Sequence, residues 1–242
     1  MGKDVIIACD FSSKADTLKF LERFGEKRPF VKIGMELYYA EGPEIVKELK
    51  SRGHKVFVDL KIHDIPNTAA AAMRVLGHLG ADIVNVHAAG TKKMMEAARK
   101  GLDEGYENFC KLSKTKGVKP LLIAVTQLTS TDQISMQEEL LIEKPIEEVV
   151  EHYAETAMSA GLDGVVCSAQ EAGRIHKRCG TDFITVTPGI RFADSQNGDQ
   201  KRVMTPSSAK EIGADYIVVG RPITKADDAM SAYERCCNEF IG

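Results

Sequence analysis

The sequence predicts a closed barrel of eight parallel β-strands that alternate with α-helices, the (β/α)8 or TIM-barrel fold. Eight short apolar runs, rich in β-branched residues, alternate with segments of helical character along the chain. The runs are almost continuously apolar, which is typical of parallel strands buried on both faces. The chain has 242 residues, close to the roughly 250 of such a barrel, so we expect residues 1–242 to form a single domain.

An open, doubly wound parallel sheet is the alternative fold, because it uses the same alternation of strands and helices. Its dinucleotide-binding version needs Gly-x-Gly-x-x-Gly after the first strand, and no such motif follows the first apolar run. In either fold, each crossover helix returns the chain to the same end of the sheet, so all strands run parallel. The closed barrel is the first choice.

In the first half of the chain, four apolar runs are each followed by a helical segment. The predicted strands are Val5–Asp10, Phe30–Gly34, a strand beginning at Val56, and Asp82–His87. The predicted helices are Lys14–Phe24, Gly42–Ser51, a helix that starts near Pro66 and is capped by Asn67 or Thr68, and Thr91–Gly101. The boundaries depend on local signals, such as Pro43 in a first helical turn and Gly53 just beyond a helix end.

The second half repeats this pattern after a polar stretch, Tyr106–Lys119, which we interpret as a surface insertion. Its predicted strands are Pro120–Thr126, Gly164–Ser168, Phe183–Thr187 and Tyr216–Gly220. Its predicted helices are Met136–Leu141, Ile146–Ser159, Ala169–Cys179, Thr205–Ile212 and Thr224–Phe240. Pro145 separates the first two of these helices, because proline interrupts a helix.

The third strand leads into the stretch with the most unusual side chains. Side chains on a strand alternate between faces, so Phe57, Asp59 and Lys61 share one side. Asp64 follows just past the strand end, and burying these charges is costly unless they are paired or take part in chemistry. For an isolated Asp-x-Lys pair, a structural ion pair is the simpler interpretation. The further polar groups in the same short turn favour a functional site.

Polar residues accumulate at the predicted carboxyl ends of the strands. They are Asp10, Lys32, Asp59, Lys61, His87, Thr126, Thr129, Ser168, Pro188–Gly189 and Gly220–Arg221. Taken singly, each has an ordinary explanation, such as a helix cap for Asp10 or a hydrogen-bonded core position for His87. In a barrel, however, these ends converge on one mouth, where active sites are built. We therefore expect one site assembled from separate segments.

The loops after the seventh and eighth strands have the composition of an anion-binding region. Thr187–Arg191 is followed by the polar stretch Phe192–Gln200, whose composition is typical of a mobile lid. In this architecture, the corresponding loops bind phosphate through backbone N–H groups and a helix N-terminus. We expect Arg221 to add a charge-assisted hydrogen bond, while a purely structural role for Gly220–Arg221 stays open.

Bulk composition argues against several classes of partner. The formal net charge is −3, from 32 basic and 35 acidic side chains, which disfavours nucleic acid or an anionic membrane as the main partner. No apolar run reaches the roughly 18–20 residues of a membrane span, and Met1–Asp4 leads into a strand instead of a signal peptide. The six cysteines show neither a Cys-x-x-Cys pair nor a metal-finger spacing, so we expect reduced thiols and a cytoplasmic protein.

Several segments together resemble the orotidine 5′-phosphate decarboxylase family, whose members carry out the final step of UMP synthesis. The segments are Asp10, Val31–Gly34, Asp59–Thr68, Val125–Ser130, Thr187–Arg191, Asp199–Arg202 and Val219–Pro222. The Asp-x-Lys-x-x-Asp core alone is shared with a wider group of phosphosugar barrels. Its combination with Lys32 and two phosphate segments is specific, and the likeness covers nearly the whole chain.

The resemblance implies a homodimer of (β/α)8 barrels that converts orotidine 5′-monophosphate to UMP and CO2 in active sites shared between subunits. The implied catalytic residues are Lys32, Asp59, Lys61 and Asp64, the last of which would reach into the site of the other subunit. The implied substrate contacts are Asp10, Lys32, Asp59, Lys61, Asp64, Ile65, Thr68, Thr129, Pro188, Arg191, Gln200, Gly220 and Arg221. Asp10 and Lys32 would hold the ribose, Thr129 the pyrimidine in preference to Thr126, and Gln200 and Arg221 the phosphate.

The same residues suggest a mechanism without metal or organic cofactor. The flanking carboxylates of Asp59 and Asp64 favour the ammonium form of Lys61, because opposite charges stabilise the ionised state. Lys61 can then stabilise the carbanion that develops at C6 of the pyrimidine and donate its proton to that carbon. The expected partners are therefore a small nucleotide substrate and a second copy of the chain, with neither nucleic acid nor membrane involved.

Two other interpretations remain open at this stage. The first is a related barrel that acts on a phosphorylated sugar acid or ketose, such as a 3-keto-gulonate-phosphate decarboxylase, in which a metal stabilises an enediolate. Such a barrel would be expected to carry an acidic metal ligand on the second strand, where this chain has Lys32. The second is a non-catalytic phosphate-binding barrel whose charged network is only structural.

Overall fold

Eight strands form the wall of a closed barrel in the computed structural model, which describes residues 3–113, 118–194 and 204–242. The strands are β1 (Asp4–Ala8), β2 (Phe30–Gly34), β3 (Val56–Ile62), β4 (Ile83–His87), β5 (Leu121–Val125), β6 (Gly164–Val166), β7 (Ile184–Thr187) and β8 (Tyr216–Val219). All neighbouring strands are parallel, and β8 closes the barrel on β1 with Ile217 opposite Val5. The predicted (β/α)8 barrel is confirmed, and the open sheet is excluded.

Helices follow the strands along the chain and surround the barrel. Those in the described residues are α1 (Lys14–Glu22), α2 (Met35–Glu41), α3 (Glu44–Ser51), α4 (Pro66–His78), α5 (Thr91–Ser113), α6 (Gln133–Glu138), α7 (Ile146–Ser159), α8 (Ala169–Cys179), α9 (Pro206–Ile212), α10 (Arg221–Thr224) and α11 (Ala229–Phe240). Strand β2 and helices α7 and α8 have the predicted bounds. None of the described helices combines the length and the apolar character needed to cross a bilayer.

The strands divide the apolar core into two layers, because successive side chains point to opposite faces. Phe57 belongs to a cluster made only of strand residues, which fills the barrel interior. Val56 and Val58 belong to the larger cluster shared with the helices. Phe57, Asp59 and Lys61 all line one cavity, so the predicted alternation of β3 is confirmed. The barrel interior therefore leads directly to the charged residues at its mouth.

Two helices follow β2, where the sequence predicts only one. Helix α2 ends before Gly42, whose positive φ of 66° suits a residue without a Cβ atom, and Pro43 then precedes α3. The predicted helix Gly42–Ser51 corresponds to α3 with a later start. Helix α2 lacks a clear sequence signal because Leu37 is its only fully buried residue.

Helix α5 extends to Ser113, so residues 106–113 of the predicted surface insertion Tyr106–Lys119 are helical instead. A Cβ atom on Gly101 would lie only 2.1 Å from the carbonyl oxygen of Ala70, and one on Gly105 only 2.1 Å from that of Arg74. The two glycines therefore allow α5 to pack directly against the backbone of α4. This packing outweighs the low helix propensity of glycine and the polarity of the segment.

The first turn of α4 lacks the side-chain cap that the sequence predicts. Ile65 occupies the N-cap position and makes no side-chain cap hydrogen bond, while Pro66 is the first helical residue. The predicted caps Asn67 and Thr68 are therefore wrong, although the predicted helix start at proline is confirmed. Proline at this position lacks an N–H group that would need a partner, which makes a side-chain cap less necessary.

The last helix also begins later than predicted. Thr224 ends the four-residue helix α10, and α11 starts at Ala229. The Asp228 carboxylate accepts the N–H of Ser231 at 3.0 Å and so caps α11. The segment from Arg221 to the C-terminus is therefore two helices joined by a turn, which leaves α10 at the mouth of the barrel.

A repeated aspartate arrangement occupies the amino-terminal end of the barrel. Asp82, Asp163 and Asp215 each directly precede an even-numbered strand and follow a glycine of positive φ by two residues. Their carboxylates accept backbone N–H groups of the preceding strand, from Val56, Leu122 and Thr185, at 2.7, 2.7 and 2.8 Å. Each also contacts a basic side chain of the helix before that strand, Lys50, Arg99 or His176, at 2.6, 2.8 and 3.1 Å. The arrangement links each pair of neighbouring strands at the amino-terminal end of the barrel, which contributes to stability and not to the active site.

Candidate active site

A cavity of about 600 Å³ opens at the carboxyl ends of the strands. This volume lies within the roughly 300–1,000 Å³ that small-molecule pockets occupy. The predicted site residues that line the cavity are Asp10, Lys32, Asp59, Lys61, Thr129, Pro188, Arg191, Gly220 and Arg221. Its floor is apolar and consists of Ala8, Phe57, Val125, Val166, Val186 and Val218. The structure thus brings together residues that are far apart in the sequence.

Four charged side chains form an alternating chain across one wall of the cavity. Lys32 Nζ on β2 lies 3.0 Å from Asp10 Oδ1, just after β1, and 3.4 Å from Asp59 Oδ2 on β3. The other carboxylate oxygen of Asp59 accepts a hydrogen bond from Lys61 Nζ at 2.7 Å. Each of the two inner charges therefore has an opposite charge on both sides, which offsets the cost of removing it from water.

The inner pair stays charged at neutral pH. Burial by itself raises the pKa of Asp59, but the ammonium groups of Lys32 and Lys61, with a hydrogen bond from Asn85, hold that pKa below its ordinary value of 3.8. Burial by itself lowers the pKa of Lys32, but the carboxylates of Asp59 and Asp10 outweigh it and hold that pKa above 10.5. The site therefore presents fixed, opposite charges to a ligand.

An irregular stretch of β3 carries Lys61. The φ of Lys61 is 51°, in the left-handed region, which is uncommon for a residue with a side chain. The register of β3 against β4 shifts between Val58 and Ile62, as in a β-bulge. The Lys61 N–H donates to the side-chain oxygen of Asn85 on β4 at 2.8 Å. The bulge thus lets Lys61 reach the cavity beyond Asp59.

The two threonines after β5 take different positions. The Thr126 hydroxyl donates to the carbonyl oxygen of Val166 at 3.1 Å, and this buried residue does not line the cavity. Thr129 lines the cavity, together with Gln127 and Leu128. The structure therefore favours Thr129 over Thr126 as a ligand contact, and Gln127 is a further polar group that the sequence analysis does not single out.

Basic side chains that follow β7 and β8 form another part of the cavity rim. Arg191 follows β7, while Arg221 and Lys225 lie at the two ends of α10. Gly189 has a φ of 82° and turns the chain after β7, so that Pro188 and Arg191 both border the cavity. Three cations on one rim provide a binding region for an anion. Lys225 is an addition to the predicted set.

Part of the predicted lid lies outside the described residues, and Gln200 lies there too. The described part of this segment ends at Asp194. The Arg235 guanidinium of α11 lies 4.2 Å from the centre of the Phe192 ring and 3.1 Å from Asp194 Oδ2. Helix α11 therefore anchors the beginning of the segment that follows Arg191.

Two other polar strand ends do not reach the cavity, contrary to expectation. His87 lies at the end of β4 with its ring centre 5.6 Å from that of His63. Burial, followed by His63 and Lys61, lowers the pKa of His87. Ser168 caps α8 in a capping box with Glu171. Within the described residues, no group of three or more His, Cys, Asp or Glu side chains is placed to hold a metal ion.

Comparison with known proteins places the chain in a family. Residues 3–236 match the model of the family described as Orotidine 5′-phosphate decarboxylase / HUMPS family. The chain belongs to this family. The match includes every residue that lines the cavity, and the resemblance predicted from the sequence is confirmed.

Individual proteins are similar to the chain along their whole length. Two proteins named orotidine 5′-phosphate decarboxylase, from Geobacillus thermodenitrificans (strain NG80-2) and Bacillus caldolyticus, are each 55% identical over 242 residues. The alignments cover 100% of this chain and 98% and 96% of those proteins. The crystal structure of orotidine 5′-phosphate decarboxylase from Lactobacillus acidophilus matches with a TM-score of 0.87 at 40% identity, covering 99% of this chain and 100% of that one.

Three more of the site residues predicted from the sequence lie outside the cavity of their own chain. Asp64, Ile65 and Thr68 are exposed, and Ile65 is 66% exposed. The Asp64 carboxylate accepts the N–H of Ile65 at 2.7 Å. These residues therefore face solvent and not the cavity.

Asn85 contacts two of the predicted site residues, although the sequence analysis does not single it out. It lies on β4 with 1% of its surface exposed, and its Nδ2 donates to Asp59 Oδ1 at 2.7 Å. The available signal was a lone amide within an apolar run, on the same face of the strand as His87. Its importance depends on which neighbour that face meets, which the sequence does not reveal.

Proposed function

We propose that this protein decarboxylates orotidine 5′-monophosphate to UMP and CO2 in pyrimidine biosynthesis, with Lys61 as the proton donor. The observation that carries the proposal is the alternating chain of Asp10, Lys32, Asp59 and Lys61, which lines the same cavity as a rim of cations. Family membership and the names of relatives at 55% identity support the same reaction.

Charge determines the direction in which the nucleotide enters. The phosphate belongs at the cationic rim, against Arg191, Arg221 and the backbone at Gly220. Gln200 lies outside the described residues, and the family resemblance implies that it adds a further contact. The ribose hydroxyls then lie between a hydrogen-bond donor and an acceptor, Lys32 and Asp10. The pyrimidine reaches the apolar floor, where Thr129 and Pro188 border it and Lys61 faces its C6 atom.

The chemical step breaks the bond between C6 and the carboxylate carbon. The electron pair stays on C6, where no carbonyl group conjugates with it directly. The Lys61 ammonium stabilises this charge and then transfers one proton to C6, which gives UMP and a neutral amine that regains a proton from water. The 2.7 Å hydrogen bond to Asp59 holds the ammonium in place during this step.

Asp59 contributes a second effect in this orientation. The substrate carboxylate lies beside the Asp59 carboxylate, so two negative charges repel each other until neutral CO2 leaves. The low pKa of Asp59 keeps it ionised, so this repulsion is present at neutral pH. Binding at the distant phosphate holds the nucleotide in place against the repulsion.

The proposed reaction needs neither a metal ion nor an organic cofactor, because Lys61 supplies both the positive charge and the proton. We expect full activity after exhaustive chelation. A strict requirement for Mg²⁺ would instead favour the related metal-dependent barrels that act on phosphorylated sugars.

We propose that the active enzyme is a homodimer, in which Asp64, Ile65 and Thr68 of each chain complete the site of the other. Their exposure outside the cavity of their own chain supports this arrangement. Exposed apolar side chains at Met35, Tyr39 and Val75, which are 46%, 72% and 54% exposed, provide a surface for association.

Mixing two inactive variants tests the shared site. Lys61→Ala and Asp64→Asn chains should each be inactive alone, but a heterodimer contains one site with both residues intact. After unfolding and refolding of an equal mixture, about a quarter of the wild-type activity should return. A mixture that stays inactive while forming dimers would contradict sharing of the site.

A cytoplasmic location completes the proposal. All six cysteines are free thiols, although burial raises the pKa of Cys9 to about 12 and makes that thiol unreactive. Unpaired thiols suit a reducing compartment. Cell fractionation followed by detection of the protein checks this location.

The direct test of the proposed function is the conversion of orotidine 5′-monophosphate, which is monitored through the loss of absorbance as UMP forms. Purified protein should release one CO2 per UMP. Absence of turnover, in a sample that binds UMP, would favour the non-catalytic phosphate-binding barrel. Turnover of a phosphorylated sugar acid instead would favour the metal-dependent relatives.

A further inference from the structure

We infer that Asn85 is a positioning residue that orients both Asp59 and Lys61 for the reaction. The inference rests on the proposed function and adds to it a residue that does not itself meet the substrate. Asn85 is 1% exposed and does not line the cavity, yet it hydrogen-bonds to both members of the reactive pair. It therefore acts through these two neighbours.

The side-chain amide of Asn85 makes two hydrogen bonds of opposite direction. Its Nδ2 donates to Asp59 Oδ1 at 2.7 Å, and its Oδ1 accepts the Lys61 N–H at 2.8 Å. Only this orientation of the amide satisfies both neighbours, because a carboxylate needs a donor and a backbone N–H needs an acceptor. Among side chains that are neutral at pH 7, only Asn and the longer Gln carry a donor and an acceptor side by side.

The first hydrogen bond fixes the Asp59 carboxylate. Its Oδ1 accepts from Lys61 Nζ and from Asn85 Nδ2, both at 2.7 Å, while its Oδ2 faces Lys32 at 3.4 Å. Both oxygens are thereby held, so the carboxylate cannot rotate about its Cβ–Cγ bond without losing a partner. The direction in which it holds the Lys61 ammonium is fixed as a result.

The second hydrogen bond supports the unusual backbone of Lys61. That residue has a φ of 51° within the stretch where the register of β3 against β4 shifts. The Asn85 amide oxygen supplies an acceptor for the Lys61 N–H inside this irregular stretch. Asn85 thus controls Lys61 at both ends, at the backbone directly and at the ammonium through Asp59.

The titratable groups around Asn85 determine how the ionisation of this part of the site depends on pH. They are Lys32 on β2, Asp59 and Lys61 on β3, His87 on β4, and His63 packed against the His87 ring. The pKa of His87 is lowered, with burial as the main cause, so it is neutral at pH 7. Asn85 itself does not titrate, so in the wild-type protein it stabilises the ionised form of Asp59 at every pH.

Replacement by alanine removes both hydrogen bonds. For Asn85→Ala, we expect kcat to fall by about 10- to 100-fold, because a lost hydrogen bond to a charged group changes an equilibrium by roughly that factor. The dissociation constant of UMP should change little, because its phosphate is held at the cationic rim. Steady-state kinetics and titration with UMP measure the two quantities separately.

Replacement by aspartate gives a signature in the pH profile. The introduced carboxyl group would face Asp59, and two adjacent carboxylates share one proton over a raised pH range. While that proton is shared, the pair keeps a donor between them and an acceptor for the Lys61 N–H. The kcat of Asn85→Asp should therefore be nearest to wild type at low pH and fall as pH rises through the shared titration, a limb that is absent from wild type.

A control variant separates positioning from general loss of a buried hydrogen bond. Thr185 on β7 is fully buried, and its hydroxyl donates to Asp215 at 3.0 Å at the other end of the barrel. Thr185→Val should lower thermal stability without changing kcat or its pH profile. If both Asn85 variants behave like Thr185→Val, with unchanged kcat and pH profile, the inference is overturned.

A readout without catalysis separates this inference from the proposed function. In protein labelled with ¹³C at Asp Cγ, the Asp59 signal can be assigned from its absence in Asp59→Asn. The Asp59 signal should titrate at a higher pH in Asn85→Ala than in wild type, whether or not the protein decarboxylates the nucleotide. An unchanged titration would refute the role of Asn85, whereas a shifted titration in a protein without turnover would refute only the proposed function.

Discussion

The two ends of the barrel contain similar aspartate–cation pairs that differ in what else the aspartate contacts. At the amino-terminal end, Asp163 binds the backbone N–H of Leu122 as well as Arg99, and Asp82 and Asp215 repeat the arrangement. At the carboxyl-terminal end, Asp59 contacts the side chains of Lys32, Lys61 and Asn85 beside an open cavity.

The difference teaches that the partners of an aspartate at a strand end determine its role. A carboxylate bound to a backbone N–H fixes the position of a strand, so its interaction contributes to stability. A carboxylate held by two ammonium groups at a cavity wall leaves those groups accessible to a ligand, and we propose that it contributes to chemistry. In this fold, the carboxyl ends of strands provide the loops for a site, while the amino-terminal ends do not.

The largest expected effect comes from removing the proton donor at the carboxyl-terminal end. Lys61→Ala should lower kcat by at least about 10⁴-fold, because both the proton transfer and the charge stabilisation are lost. The fold and UMP binding should remain, as circular dichroism and titration would show. Lys50→Ala, which removes the cation beside Asp82, is the matched control with normal kcat expected. Near-normal decarboxylation by Lys61→Ala would contradict its role.

Breaking the other end should affect stability alone. Asp163→Ala removes the acceptor for the Leu122 N–H and leaves Arg99 without one of its carboxylate partners. We expect the free energy of unfolding to fall by about 2–4 kcal/mol, measured by urea denaturation, with kcat unchanged. Asp59→Asn is the reciprocal variant and should lose most activity. A comparable loss of kcat in Asp163→Ala would remove the distinction between the two ends.

A third variant sharpens the comparison within the carboxyl-terminal end, between the reactive wall and the cationic rim. Arg221→Ala should weaken UMP binding by about 10- to 100-fold, the value of a charge-assisted hydrogen bond. Orotidine, which lacks the phosphate, serves as the control substrate. An equal loss of affinity for orotidine would show that Arg221 does not act through the phosphate.

The smallest expected effect is on the pH dependence of stability. The folded pKa of Asp59 lies below its ordinary value of 3.8, so its ionised form stabilises the folded state above that pH. This contribution is lost as pH falls through the folded pKa. The difference in unfolding free energy between wild type and Asp59→Asn should therefore be constant from pH 5 to 7 and shrink below about pH 4. A difference that grows in acid would contradict the assigned shift.

The site could be predicted where its chemistry lies on adjacent positions of one strand. Alternation predicted that Asp59 and Lys61 share the face of Phe57, although the bulge through which Lys61 reaches the cavity was not foreseen, and the strand-end positions of Lys32 and Arg221 followed from the barrel. Asn85 was missed because its role depends on the partner that β4 presents to β3. Helix α2 was missed because a single buried residue, Leu37, gives it no apolar periodicity, and the continuation of α5 was missed because its close packing on α4 is not visible in local propensity.

The sequence by itself determined the alternation of strands and helices, which strand residues share a face, and the family. Hydrophobic periodicity and motif spacing are local properties. Only the tertiary structure decided which carboxylates bind backbone N–H groups and which line the cavity. An aspartate such as Asp163 and one such as Asp59 have the same side chain, and their roles depend on the donors that distant segments place beside them. Those donors are brought together by closure of the barrel, which no single stretch of the chain encodes.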